Sequence, residues 1–197
     1  MADDRRSSLA AWEDRFHDVS VHSGGRLRVR EVPFTSQVNV RVGAAGVPGV
    51  SDALGAALPA EPNTVATRGD IEVLWLGPDE WLVLSRPGTS VGMLSSLRAA
   101  LGGHPASVVD VSAQRTTVAV GGPAAPEVLA HGCAVDLERT LGLGRCAQTM
   151  VARAQVIMWH PADNEFRLLV RASYAGYLAS WLIDAAAEHI GRNTARG

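Results

Sequence analysis

Cys146 follows Arg145 directly, and a cation beside a thiol favours the thiolate that acts as a nucleophile. That role needs an exposed, electropositive setting; in an apolar one the same cysteine is structural. His131-Gly-Cys133 adds two soft donors, but with Cys146 it makes three scattered ligands without the spacing of a zinc site. Buried cysteines are the simpler reading. Gly121-Gly122 precedes a helix-like run and could present free amides to an anion, although a tight strand-to-helix turn explains the pair as well. Gly142-Leu-Gly144 lacks the third glycine of a dinucleotide fingerprint and leads into a strand, so it reads as a turn. Asp110 and Ser112 stand at a strand end with no evident base. Arg171 follows an apolar strand and could meet an acidic ligand, or simply water. No P-loop, zinc-protease helix or nucleophile elbow is present, so the expected set of catalytic, cofactor-binding and metal-binding residues on this chain is empty.

Composition narrows the class. The 197 residues suffice for a core without disulfides or metals. An apolar share of 47% with 19% charged residues describes an ordered globular chain. Net charge is −2, with no basic run or basic–aromatic interleaving, which argues against a nucleic-acid partner. No apolar run approaches the ~20 residues of a membrane span, and the first residues carry no apolar signal core. Two cysteines do not make a disulfide framework, so the expected compartment is the cytoplasm.

The elements that would position these residues centre on Ile71–Leu84, IEVLWLGPDEWLVL. Two β-prone runs flank Gly77-Pro78-Asp79-Glu80, a turn with Pro presetting φ. A helix over Ser90–Leu101 follows. Before the hairpin, Leu27–Val29 begins a strand that Pro33 interrupts. Val38, Val40 and Val42 alternate as in a half-buried strand. Gly43–Gly49 reads as a turn, Ser51–Leu58 as a short helix ended by Pro59, and Glu61–Gly69 as a loop. The second half repeats this order. Ser107–Val111 and Thr116–Val120 are strands, and a helix runs to about Ala130. Val135–Gly144 is short helix or loop. Ala147–Trp159 and Phe166–Ala172 pair across His160–Glu165, and a last helix starts with Ser173 as N-cap.

Residues 36–111 therefore read β-α-β-β-α-β, and residues 115–190 read β-α-β-β-α. The predicted fold class is α+β, with two ferredoxin-like (split βαβ) halves in one compact domain. The halves are about 25–113 and 114–192, with a mobile tail over 1–24 and a C-terminal tail over 193–197. Trp75 and Trp159 match before the two turns, and Trp81 and Phe166 after them. The Ile71–Leu84 hairpin is apolar on both faces, so its second face must be covered by the other half or by another protein. Trp12 and Phe16, one helical turn apart, could dock on the body or on a partner. Trp12, Phe16, Trp75 and Trp81 are thus the candidate partner-interface residues.

Several strings carry a family resemblance: Glu31-Val-Pro-Phe-Thr-Ser-Gln-Val-Asn-Val-Arg41, Leu74-Trp-Leu-Gly-Pro-Asp-Glu-Trp-Leu82, Val109-Asp-Val-Ser-Ala-Gln-Arg-Thr116, Gly144-Arg-Cys-Ala-Gln-Thr149 and Phe166-Arg-Leu-Leu-Val-Arg-Ala-Ser173. Across nearly everything after residue 25 the chain resembles the gamma subunit of heterotetrameric sarcosine oxidase. The resemblance implies a complex that oxidises sarcosine to glycine, formaldehyde (or 5,10-methylenetetrahydrofolate) and hydrogen peroxide. It implies alpha, beta and delta subunits as partners. FAD, FMN, NAD, zinc and tetrahydrofolate would sit on those subunits, with no cofactor on this chain. It also implies a fold similar to the folate-binding domains of aminomethyltransferase.

Two rivals remain at this level. One is a stand-alone folate-binding protein, similar to the aminomethyltransferase relatives that assist iron–sulfur enzymes. Those carry Lys-Gly-Cys-Tyr-x-Gly-Gln-Glu, of which Gly144-Arg145-Cys146-Ala147-Gln148-Thr149 keeps the Cys but lacks the Lys, Tyr and Gln-Glu. The other is a homo-oligomer that uses the hairpin as its own interface.

Overall fold

A computed structural model describes residues 5–190; the expected tail over 193–197 lies outside them. After a 3-10 turn at Ala10–Trp12, the elements run α1 (Glu13–His22), β1 (Arg28–Val32), β2 (Ser36–Val42), α2 (Val47–Leu54), β3 (Val65–Arg68), β4 (Ile71–Gly77), β5 (Glu80–Ser85), α3 (Ser90–Ala100) and β6 (Ala106–Asp110). The second half gives β7 (Arg115–Gly121), α4 (Ala125–Ala130), β8 (Cys146–Val151), β9 (Ala154–Ala162), β10 (Glu165–Arg171) and α5 (Ala172–Ala185).

Two five-stranded antiparallel sheets result, ordered β3-β4-β5-β2-β6 and β8-β9-β10-β7-β1. Each is a split βαβ sheet with one added edge strand, β3 or β8, formed by the hairpin into β4 or β9. The expected half boundaries need one correction. Among the described residues no strand follows α5, and β1 fills that place, antiparallel to β7 from Arg28↔Gly121 to Val32↔Thr117. Residues 28–32 therefore belong to the sheet built by residues 115–171.

Side chains alternate across each sheet, and the layers follow. Val38, Val40, Val42, Val73, Trp81 and Val83 point to α2 and α3. Val29, Val118, Val120, Met158, Leu168 and Val170 point to α1, α4 and α5. The remaining faces meet each other through Leu74, Leu82, Leu84, Ile157, Trp159 and Leu169. The architecture is helices, sheet, sheet, helices. The second apolar face of the Ile71–Leu84 hairpin is thus covered from within. Full burial of each leucine there contributes roughly 1.5–3 kcal/mol.

Five expectations change for local reasons. The N-terminal segment is not a mobile tail over its described length, because Leu9, Phe16 and Val19 of the first turn and α1 are in the core. Glu61–Gly69 contains a strand, β3. Ala147–Trp159 is a hairpin rather than one strand, turning at Ala152, whose φ is 51°. The α2 helix begins inside the expected turn and stops at Gly55, which takes the left-handed conformation that ends helices. At α5 the N-cap position is Arg171, and no side chain caps it.

Candidate functional site

Cys146 sits at the seam between the sheets. Residues just before β3 and β8 pair with each other there: the Val65 amide donates to the Gly144 carbonyl at 2.9 Å, and the Cys146 amide to the Asn63 carbonyl at 2.9 Å. The Cys146 thiol is 1% exposed and faces the carbonyls of Trp75 (3.4 Å) and Thr64 (3.6 Å). Burial pushes its pKa up to about 11, against the smaller opposing effects of the Trp75 hydrogen bond and Arg145. Arg145 turns away to Glu61 at 2.8 Å and the Pro62 carbonyl at 3.2 Å. The thiol is structural. Cys133 lies on the other side of its sheet, in the layer under α4 and α5, so the two cysteines cannot share an ion. Among the described residues no group of three or more His, Cys, Asp or Glu is placed to hold a metal.

The glycine pair also has a structural role. Gly122 adopts φ 101°, and a Cβ there would lie 2.4 Å from the Arg26 carbonyl oxygen. Its amide donates to the Asn164 carbonyl at 2.7 Å, and the Ala124 amide to Arg26 at 3.0 Å. Those amides, the ones an anion would need, are taken. Gly142-Leu-Gly144 is the turn the sequence predicts, closed by the Arg145 amide on the Gly142 carbonyl at 3.0 Å. The Ser112 hydroxyl donates to Asp110 at 2.5 Å, and this hydrogen bond is the main cause of a lowered Asp110 pKa. Ser112 in turn accepts the Gln37 amide at 2.9 Å, which ties the strand end to β2.

Of the four candidate interface aromatics, two are withdrawn from the surface. Phe16 is 2% exposed beneath α1, and Trp81 is 4% exposed with its indole N–H on the Pro59 carbonyl at 2.8 Å. Trp12 and Trp75 are partly exposed. The Trp75/Trp159 equivalence fails by one position. Trp75 packs toward the helices and Trp159 toward the other sheet. The residue that answers Trp75 is His160, stacked on Phe166 at 4.4 Å.

Sequence reasoning missed a polar cluster at the rim between the sheets. Arg167 pairs with Glu165 (3.0 Å) and Glu72 (3.6 Å), and its guanidinium lies 5.4 Å above the Trp159 ring. Burial raises the Glu72 pKa, with Arg167 and Trp159 opposing. The available signal was a polar residue at alternate positions within otherwise apolar strands. The cluster joins the sheets.

This fold, with its expected chemical residues absorbed into turns and core, defines a class: a two-sheet α+β chain without a gathered catalytic set among the described residues. A similar arrangement occurs in the glycine cleavage system aminomethyltransferase T of Bartonella henselae (TM-score 0.64, 15% identity, covering 85% of this chain and 48% of that one), a likeness of fold alone. Residues 41–188 match the sarcosine oxidase, gamma subunit family. A sarcosine oxidase subunit gamma from Arthrobacter sp. is 39% identical over 170 residues, 84% of this chain and 83% of the relative. One chain of the heterotetrameric sarcosine oxidase from Corynebacterium sp. U-96, solved with pyrrole 2-carboxylate, superposes with a TM-score of 0.88 at 35% identity, covering 98% of this chain and 100% of that chain. The chain belongs to the sarcosine oxidase gamma subunit family.

Proposed function

We propose that this chain is the non-catalytic gamma-type subunit of a heterotetrameric, cytoplasmic sarcosine oxidase. The observation that carries this is the end-to-end match to one chain of such a heterotetramer. Supporting it, Cys146, Gly121-Gly122, Asp110 and Ser112 are each spent on internal packing or turns. Two buried, unpaired thiols suit a reducing compartment. No helix among the described residues is long and apolar enough to cross a membrane. In this reading alpha, beta and delta subunits are the partners, and they hold FAD, FMN, NAD, zinc and the tetrahydrofolate site. The complex converts sarcosine and oxygen to glycine, a one-carbon unit and hydrogen peroxide. The surface offered to partners includes Trp12 and Trp75, together with Tyr174 and Tyr177, which are 49% and 40% exposed on α5. Aromatic side chains beside an arginine, as in Arg15 over Trp12 at 4.7 Å, are typical of interface centres.

The test is affinity capture of the tagged chain from its native host, with the visible spectrum, subunit masses and sarcosine-dependent peroxide recorded. A yellow complex with two larger chains and one small one, active on sarcosine, is expected. A colourless single species would overturn the proposal. Sarcosine oxidation by the purified chain alone would overturn its non-catalytic part.

A further inference from the structure

Alternation along β3, β4 and β5 turns Arg68, Ile71 and Ser85 toward α2 and α3, on the same face as Ala66, Val73 and Val83. At this end of the strands they and the two helices enclose a cavity of about 350 Å³. Its volume is within the range of small-ligand sites. Leu54 and Leu97, both buried, line it together with Ile71 and Met93, which the fold covers only in part. Met93 is unbranched and polarizable, so it can adjust to an occupant.

Of the three charged residues in the wall, two satisfy each other. Asp70 and Arg86 pair at 2.7 Å, which ties the β3–β4 turn to the end of β5. The Thr89 hydroxyl donates to the Arg86 carbonyl at 2.8 Å and takes a hydrogen bond from the Ser85 hydroxyl at 2.7 Å. Arg68 is the exception. It stands directly opposite Ile71 in the β3–β4 ladder and lines the cavity, yet its guanidinium has no hydrogen-bond acceptor or ion pair among the described residues. One cation without a counter-ion therefore stands beside apolar surface that the fold leaves partly open. That combination is complementary to a molecule with a single negative charge and an apolar body, and a planar guanidinium is well suited to a two-oxygen acceptor.

We propose that this cavity binds a small amphipathic monocarboxylate, with its hydrocarbon part on Ile71, Met93 and Leu97 and its carboxylate on Arg68. The site goes beyond the subunit role and stands or falls separately from it. The test uses the full chain with isotope-labelled methionine methyl groups, titrated with sodium hexanoate, sodium butanoate and hexan-1-ol and followed by NMR. Met93 reports on the cavity, while buried Met158 and exposed Met150 are internal controls. Hexanoate is expected to shift the Met93 signal saturably and to leave Met150 and Met158 in place. It binds roughly tenfold more tightly than butanoate, since each buried methylene is worth up to about a factor of four. Arg68→Gln, at an exposed position, weakens hexanoate about three- to fivefold and leaves hexan-1-ol unchanged. Arg153→Gln, at an exposed cation between β8 and β9, behaves like the parent. A Met93 signal that does not saturate, or that moves no more than that of Met150, would overturn the proposal. Equal affinity for hexan-1-ol and hexanoate, or full hexanoate affinity in Arg68→Gln, would overturn it too, because the cavity would then be apolar surface without a carboxylate site.

Discussion

At the scale of single residues, the environment of Cys146 decides its chemistry against its neighbour in sequence. Arg145 is adjacent along the chain, yet its guanidinium is drawn to Glu61 while the thiol points into the seam between the sheets. Burial outweighs the charge, and the folded thiol keeps its proton to about pH 11. The unfolded thiol loses it near pH 9.0, so between those values the folded chain binds more protons. Stability contributed by this group is complete below pH 9, then falls as pH rises toward 11, by about 2–3 kcal/mol at most. Urea midpoints of the parent should drop across that window more steeply than those of Cys146→Ala. Native Cys146 should also resist thiol reagents at pH 8 until the chain is unfolded. The residue types were legible in the sequence; which face of a strand each one took was not always so. The offset between Trp75 and Trp159 is a case in point. Trp75 stands two residues before the closing pair Gly77↔Glu80 and Trp159 three before Ala162↔Glu165, so the two tryptophans fall on opposite faces.

The elements were legible where periodicity and turn chemistry agreed. The Gly77-Pro78 hairpin and α3 stand close to where the sequence puts them. The β8–β9 hairpin was hidden because its turn residues are Ala152 and Arg153, with none of the Asn-Gly or Asp-Gly signature of two-residue turns. Its geometry is held from outside: the Arg153 amide donates to the Tyr177 hydroxyl at 3.3 Å. Helix α1 was hidden because its polar face dominates its composition, while Phe16 and Val19 alone supply the buried stripe. The loop into α4 shows the opposite case, a turn written plainly in glycine. At Gly122 the positive φ and the Arg26 carbonyl leave no room for a Cβ. Gly122→Ala should lower stability by roughly 2–4 kcal/mol in a urea titration. Gly92→Ala, on α3 with open space around it, should raise stability by up to about 1 kcal/mol.

For the whole molecule, the duplicated β-α-β-β-α order gave the fold class, and the comparison with aminomethyltransferase T agrees with it. What order along the chain could not reveal is the exchange of β1. Hydrophobic alternation marks Arg28–Val32 as a strand but carries no label for its sheet. The missing last strand of the second half was the one available clue. This arrangement predicts that a circular permutant can be made. New termini would fall between Pro33 and Thr35, with Ile190 joined to Arg5 through a flexible linker, so that β1 follows α5 as β6 follows α3. The permutant should keep one cooperative melt within a few degrees of the parent. Loss of folding would show that the direct β1–β2 connection is required.

The same exchange imposes a schedule on synthesis. Strand β1 is made before the other described strands, yet its neighbour β7 follows more than eighty residues later. Sheet β3-β4-β5-β2-β6 can close from one uninterrupted stretch of nascent chain, whereas the other must hold its first-made strand in waiting until β7 has been made. Through that interval Phe16, Val19, Leu27 and Val29 have no core to enter. The N-terminal segment is thus the part of the newborn chain most in need of a chaperone, and the last to take its place.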